Sequence, residues 1–229
     1  MVSGVRKIAR DWKYEVVSIG YPGPVLRGVP LAEPYNLGPG WVGFDFQTAF
    51  HRPVKVINDA AMQAIGSYKG GKLLFLGLGT GLGSALVVDG IPQPMELGHL
   101  PYRKGTFEDY VGIRGLKASG LQIWQRDVAD VVARLMAALQ PDDVVLGGGN
   151  IHRLKAPPLG CRLGDNANAF LGGFRLWETR NNSKRKEHDR GKAHRTPHNK
   201  ARREAAGMES PRSAQQESAG IPSSATLRR

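Results

Sequence analysis

Apolar residues along the chain switch between a helical period and short strand-like runs. Val5, Ile8, Ala9 and Trp12 fall at helical spacing and predict an amphipathic helix at the start. Residues 15–20 (EVVSIG) form a β-branched run into the turn Tyr21-Pro22-Gly23-Pro24 and predict a strand. Residues 25–43 are rich in glycine and proline and read as loop. A second strand is predicted over 54–57 (VKVI), then Asn58-Asp59, then a helix over 60–68, with Asp59 where an N-cap belongs. The unbroken apolar run 72–78 predicts a buried strand. Glycine-rich residues 79–83 separate it from another strand, 84–88, and Asp89-Gly90 predicts a hairpin turn. Val128, Val131, Val132, Leu135, Met136 and Leu139 share one helix face, ended by Pro141. Residues 144–146 predict a strand running into Gly147-Gly148-Gly149-Asn150, and a helix over 166–177 begins beside Asp165.

The pattern is α/β, with strands that end repeatedly in glycine-rich or polar residues. In open α/β sheets, ligands sit beyond the carboxyl ends of the strands. Four such ends converge as candidates: 21–24, Asn58-Asp59, 79–83 and 147–149. Composition sharpens this. Glycine is 30 of 229 residues with no collagen repeat, which fits tight turns and ligand-cradling loops. A single cysteine excludes a disulfide framework and a multi-cysteine zinc site. No apolar run approaches the ~20 residues of a membrane span, and no secretory leader is read, so a cytoplasmic location is expected. The net charge of +12 is uneven: residues 179–229 carry 13 Lys and Arg against 5 Asp and Glu. That segment has no aromatic residue and few large aliphatics, too little to offset its ordering entropy, and is expected to be disordered. It lacks aromatic residues for base stacking, so nucleic acid is not the expected partner.

Each strand end admits a chemical reading and a plain one. The loop Gly77-Leu78-Gly79-Thr80-Gly81-Leu82-Gly83 can present bare amides to a phosphate, with backbone free to take positive φ, or can be a glycine-rich hairpin. It is neither a Walker loop nor a Rossmann fingerprint. Asp59 can take a proton from an attacking hydroxyl or can cap a helix. Glu96, His99 and Glu108 lie within thirteen residues and suit sugar hydroxyls, which donate to one group and accept from another. His99 alone also reads as a metal ligand or a core histidine. Gly147, Gly148 and Gly149 can lie against a nucleotide or form an ordinary turn.

Taken in order, Asn36-Leu37-Gly38-Pro39-Gly40-Trp41, Ile57-Asn58-Asp59-Ala60, Leu76 to Gly83, Glu96-Leu97-Gly98-His99 and Leu146 to Gly149 resemble the ROK (repressor, open reading frame, kinase) sugar kinases. The segment from Gly98 to Tyr102, leading to Phe107-Glu108-Asp109-Tyr110, is similar to the glucokinase and polyphosphate-glucokinase branch. The resemblance covers roughly residues 1–178. It implies an actin-like ATPase (ribonuclease H-like) two-lobed fold. It implies transfer of a phosphoryl group from ATP or polyphosphate to the 6-hydroxyl of glucose or a related hexose. By motif, Asp59 would be the general base and Asn58, Glu96, His99 and Glu108 hydroxyl ligands. Gly79, Thr80, Gly81 and Gly83 would be a phosphate loop, Gly147, Gly148 and Gly149 the nucleotide loop, and Mg²⁺ would accompany the phosphates. The lobes would be 1–68, partial, and 69–178, followed by the basic tail 179–229.

Two departures qualify the resemblance. The stretch after His99, LPYRKGTFEDY, lacks the family's cysteine cluster, so no zinc is expected. The family's opening strand ending in Asp-x-Gly-Gly-Thr is absent from these residues, so the N-terminal lobe is expected to be incomplete, the chain truncated, and activity impaired. Alternatives are a catalytically inactive sugar-binding or regulatory ROK protein, and a repressor, which would need a helix-turn-helix. A homodimer stays open.

Overall fold

The computed structural model describes residues 1–34, 37–93 and 95–178; the predicted basic tail lies outside the described residues. In chain order the elements are α1 (Val2–Ile8), β1 (Val17–Tyr21), β2 (Val25–Leu26), β3 (Val29–Pro30), α2 (Phe46–Phe50), β4 (Val54–Asn58) and α3 (Asp59–Ser67). Then come β5 (Lys72–Leu78), β6 (Leu82–Val88), β7 (Ile91–Gln93), β8 (Pro101–Tyr102), β9 (Gly105–Thr106), α4 (Phe107–Val111) and α5 (Ile113–Ser119). The last four are α6 (Leu121–Leu139), β10 (Asp143–Gly147), β11 (Cys161–Leu163) and α7 (Asn168–Arg175).

The central sheet runs β7-β6-β5-β10-β11. Its first three strands are antiparallel neighbours, and β10 and β11 lie parallel to β5. Numbered by its own strands, that order is 3-2-1-4-5, the ribonuclease H-like arrangement. The apolar run of β5 is unbroken because both its faces are covered. Leu74, Leu76 and Leu78 pack with Trp124, Val128, Val131, Val132 and Leu135 of α6. Leu73 and Phe75 pack with Ala60, Ala61 and Ala64 of α3 on the opposite face. A separate parallel pair, β1-β4, feeds α3 directly.

Helix α3 is seated on α7 through glycine. A Cβ on Gly66 would run into the main-chain oxygen of Asn168, and one on Gly172 into that of Met62, so the two backbones touch. Arg175 donates to the carbonyl oxygens of Ile65 (2.8 Å), Gly66 (3.1 Å) and Tyr68 (3.0 Å), satisfying the orphan acceptors at the end of α3.

Several expectations need correction. Asn58, not Asp59, caps α3: its side chain accepts from the Ala61 N–H at 3.1 Å, and Asp59 is the first helical residue. The predicted loop 25–43 contains the β2-β3 hairpin. Helix α1 stops at Ile8 and buries none of its residues; Ile8 and Trp12 stay 76% and 67% exposed. Helix α6 starts seven residues before the predicted face does, because Gly120 supplies no side-chain cap to announce it. Asp165 does not cap the last helix: its side chain accepts from the Ala167 N–H at 2.8 Å in the turn before it, and the helix, shorter than expected, starts at Asn168 with no side-chain cap. No helix among the described residues is long and apolar enough to cross a membrane.

Candidate active site

Strand β4 delivers Asn58 and Asp59 to the start of α3. Asn58 uses both ends of its amide on the protein: it caps α3 and donates to the Gly23 carbonyl at 3.1 Å, tying the helix start to the turn after β1. Asp59 accepts from the Ala60 N–H at 2.8 Å, and no side chain among the described residues donates to it. Its surface is open to solvent, yet the surrounding protein crowds the carboxyl enough that desolvation raises its pKa against the opposing main-chain N–H. A group both reachable and desolvated lies in a concave place.

Glu96 and His99 sit on the short segment after β7, pinned from below by Ser84. The buried Ser84 hydroxyl accepts the Leu97 N–H at 3.0 Å. Desolvation raises the Glu96 pKa, His99 opposes the rise, and Asp59 and Glu108 add to it. One carboxyl thus senses the other three groups. The four residues picked from separate stretches of sequence share one neighbourhood.

Glu108 is presented by α4, whose first turn is a capping box: the Thr106 hydroxyl and N–H both meet Asp109, at 2.8 and 2.9 Å. Arg114 lies 3.6 Å from Glu108 and 2.9 Å from Asp109. Glu108 also reaches the glycine loop: a Cβ on Gly81 would collide with its carboxylate.

That loop is the three-residue turn from Leu78 to Leu82, which pair with each other. Its glycines do not take positive φ, contrary to expectation. They matter for space. Gly83 lies against Ala60, the residue after Asp59, and an added Cβ there would stand 3.3 Å from the Ala60 methyl. Gly79 faces open space. The N–H groups of Thr80 and Gly81 have no partner among the described residues. After β10, Gly148 does require glycine: its φ is +86°, and a Cβ would stand 2.6 Å from the Leu78 oxygen. The N–H groups of Gly148 and Gly149 are likewise unpartnered among the described residues. Asn150 joins the two loops, donating its N–H to Leu78 O and its amide to Gly79 O, both at 3.0 Å. Four unpartnered amides thus lie on two loops that Asn150 links.

Ser84, Arg114 and Asn150 were not picked from sequence, since each acts on a partner far along the chain. The box at Thr106 and Asp109 had a readable signal, Thr-x-x-Asp ahead of α4. A cavity of about 600 Å³ touches Asn58 but none of Asp59, Glu96, His99 or Glu108.

Comparison with known proteins follows this geometry. No family model matches the chain. The kanosamine kinase of Amycolatopsis mediterranei is 26% identical over 186 residues, covering 59% of this chain and 61% of that protein. The polyphosphate glucokinase of Mycobacterium leprae is 29% identical over 149 residues, covering 58% of this chain and 45% of that one. A ROK family glucokinase from Streptomyces griseus, solved with glucose and AMPPNP, superposes with a TM-score of 0.64 over 76% of this chain and 86% of that one, at 14% identity. The chain has the ROK kinase fold. The ROK resemblance of the motifs and the ROK fold of the backbone agree, although the chain spans only about half to three fifths of the curated relatives it matches.

Proposed function

We propose that the chain is a ROK-type sugar kinase that transfers a phosphoryl group from ATP or polyphosphate to the 6-hydroxyl of glucose. The observation that carries this is the meeting of Asp59, Glu96, His99 and Glu108 beside the free amides of the loop at 79–83. In this reading the free carboxylate edge of Asp59 accepts the proton of the attacking hydroxyl. Glu96, His99 and Glu108 hold the remaining hydroxyls, and Asn58 fixes the start of α3 while its amide keeps a second N–H for the sugar. The amides of Thr80, Gly81, Gly148 and Gly149 neutralise charge on the donor phosphates, the main task in phosphoryl transfer. Among the described residues no three His, Cys, Asp or Glu side chains are grouped to hold a metal ion. Mg²⁺ keeps most of its waters and binds largely through substrate phosphates, so it would arrive with the donor.

Names of relatives support both donors: one is a polyphosphate glucokinase, and an Arthrobacter structure of this fold is an inorganic polyphosphate/ATP-glucomannokinase. The test is glucose 6-phosphate formation with ATP and with polyphosphate, alongside glucose titration by calorimetry. Product at a reduced rate is expected with either donor, since the Asp-x-Gly-Gly-Thr phosphate motif is absent from these residues. Glucose binding with no product from either would favour the inactive sugar-binding reading, and absence of both would reject a sugar site.

A further inference from the structure

The turn Arg103-Lys104 between β8 and β9 joins the two halves of the sugar side, since His99 precedes the hairpin and Glu108 follows it. Its first residue, Arg103, has φ +53°, a region that favours glycine. A two-residue hairpin turn with positive φ at its first position ordinarily takes glycine there. Arg27 takes a similar φ (+51°) in the β2-β3 turn, so the backbone does not single Arg103 out; its side-chain contacts do.

The side chain reaches α6. Its guanidinium lies 2.7 Å from Asp127, a carboxylate that is 3% exposed and has no other ion-pair partner among the described residues. The same guanidinium lies over Tyr102 (4.6 Å) and Tyr110 (5.2 Å), which meet edge to face at 5.1 Å. The Tyr102 hydroxyl donates to Asp130 of α6 at 2.6 Å, and Arg134 holds Asp130 at 3.0 Å. Tyr110 lies on α4, two residues beyond Glu108. One cation therefore fastens the hairpin, α4 and α6 together.

We propose that Arg103 is a positioning residue for the sugar site, clamping the β8-β9 hairpin to α6 so that His99 and Glu108 are presented together towards Asp59. The proposal rests on the sugar-kinase reading. Arg103 touches no substrate; it acts through the groups at the two ends of its hairpin. The nucleotide loop is braced apart from the clamp, by Asn150 and the β5-β10 pairing, whereas the loop at 79–83 also takes the Ile113 N–H at the start of α5 on its Gly79 and Thr80 carbonyls.

The test measures glucose affinity, affinity for a non-hydrolysable ATP analogue, and melting temperature for three variants of the full chain. Arg103→Lys keeps a cation for Asp127 but loses the planar guanidinium between the tyrosines. Arg103→Met leaves Asp127 unpaired. Arg103→Met with Asp127→Leu removes both charges, an exchange that commonly preserves stability. Misplaced binding groups cost up to about 10²-fold. Glucose affinity is expected to fall roughly 10- to 10²-fold in the double variant and less in Arg103→Lys, with analogue affinity within about twofold of the unaltered chain. If Arg103→Met does not fold, the other two decide. Glucose affinity at the original level in a folded double variant, or equal losses of glucose and analogue affinity, would overturn the clamp. Failure of the unaltered chain to bind glucose would instead sink the sugar-kinase reading, and the clamp with it.

Discussion

At the scale of single residues, the proposed base is Asp59. Replacing it with Asn keeps the shape and the Ala60 contact but removes the proton acceptor, so phosphoryl transfer is expected to fall about 10²–10⁴-fold, with glucose affinity little changed. A coupled glucose 6-phosphate assay beside calorimetry separates the two. Desolvation raises the pKa of this carboxyl, so it holds its proton to higher pH than an ordinary aspartate. The acidic limb of kcat/KM is therefore expected above the usual carboxylate range, and a pH profile locates it. The same shift bears on stability. The folded state binds the proton more tightly than the unfolded one, so stability falls as pH rises from the ordinary value through the raised one. Asp59→Asn is thus expected to melt no lower than the parent at pH 7, and higher if the charge is the main penalty. A lower melting temperature would contradict the desolvated placement.

Among the elements, the crossing of α3 and α7 holds the helix of Asp59 in place. Gly66→Ala forces a methyl into the backbone of α7, and overpacking of this kind costs typically about 1–3 kcal/mol. At roughly 2–4 °C per kcal/mol for a domain of this size, thermal denaturation should show a drop of several degrees. Alanine at Gly79, which has ordinary φ and open space around it, should leave the melting temperature within about a degree; its effect is expected on the donor KM. The elements differ in how far sequence alone exposed them. Lys72–Leu78 was legible to the residue because burial on both faces leaves no polar position after Lys72. The β2-β3 and β8-β9 hairpins were not, being two-residue strands whose turns begin with Arg27 and Arg103 at positive φ in place of the usual Asn or Gly. The glycines at 79–83 were legible as a turn between strands but not in their conformation, since space and not φ selects Gly81 and Gly83. Asp59, Glu96, His99 and Glu108 were legible as a set only through their order. Ser84, Arg114 and Asn150, which hold that set together, act across distances that no local spacing records.

For the whole molecule, ligand linkage is the direct measure. A ligand bound only by the folded state at 100 times its Kd stabilises by about 2.7 kcal/mol. Saturating glucose should therefore raise the melting temperature by several degrees, and sucrose at equal concentration serves as the osmolyte control. Equal shifts from both would count against a built sugar pocket. The contact of α3 with α7 also has a temporal side. Arg175 closes the end of α3 at Gly66 across a sequence separation of 109. During translation the helix bearing Asp59 leaves the ribosome long before the helix that seats it. Its seat is completed only once α7 has emerged, and a nascent chain interrupted ahead of residue 168 would display a bare glycine groove where a neighbouring backbone should lie.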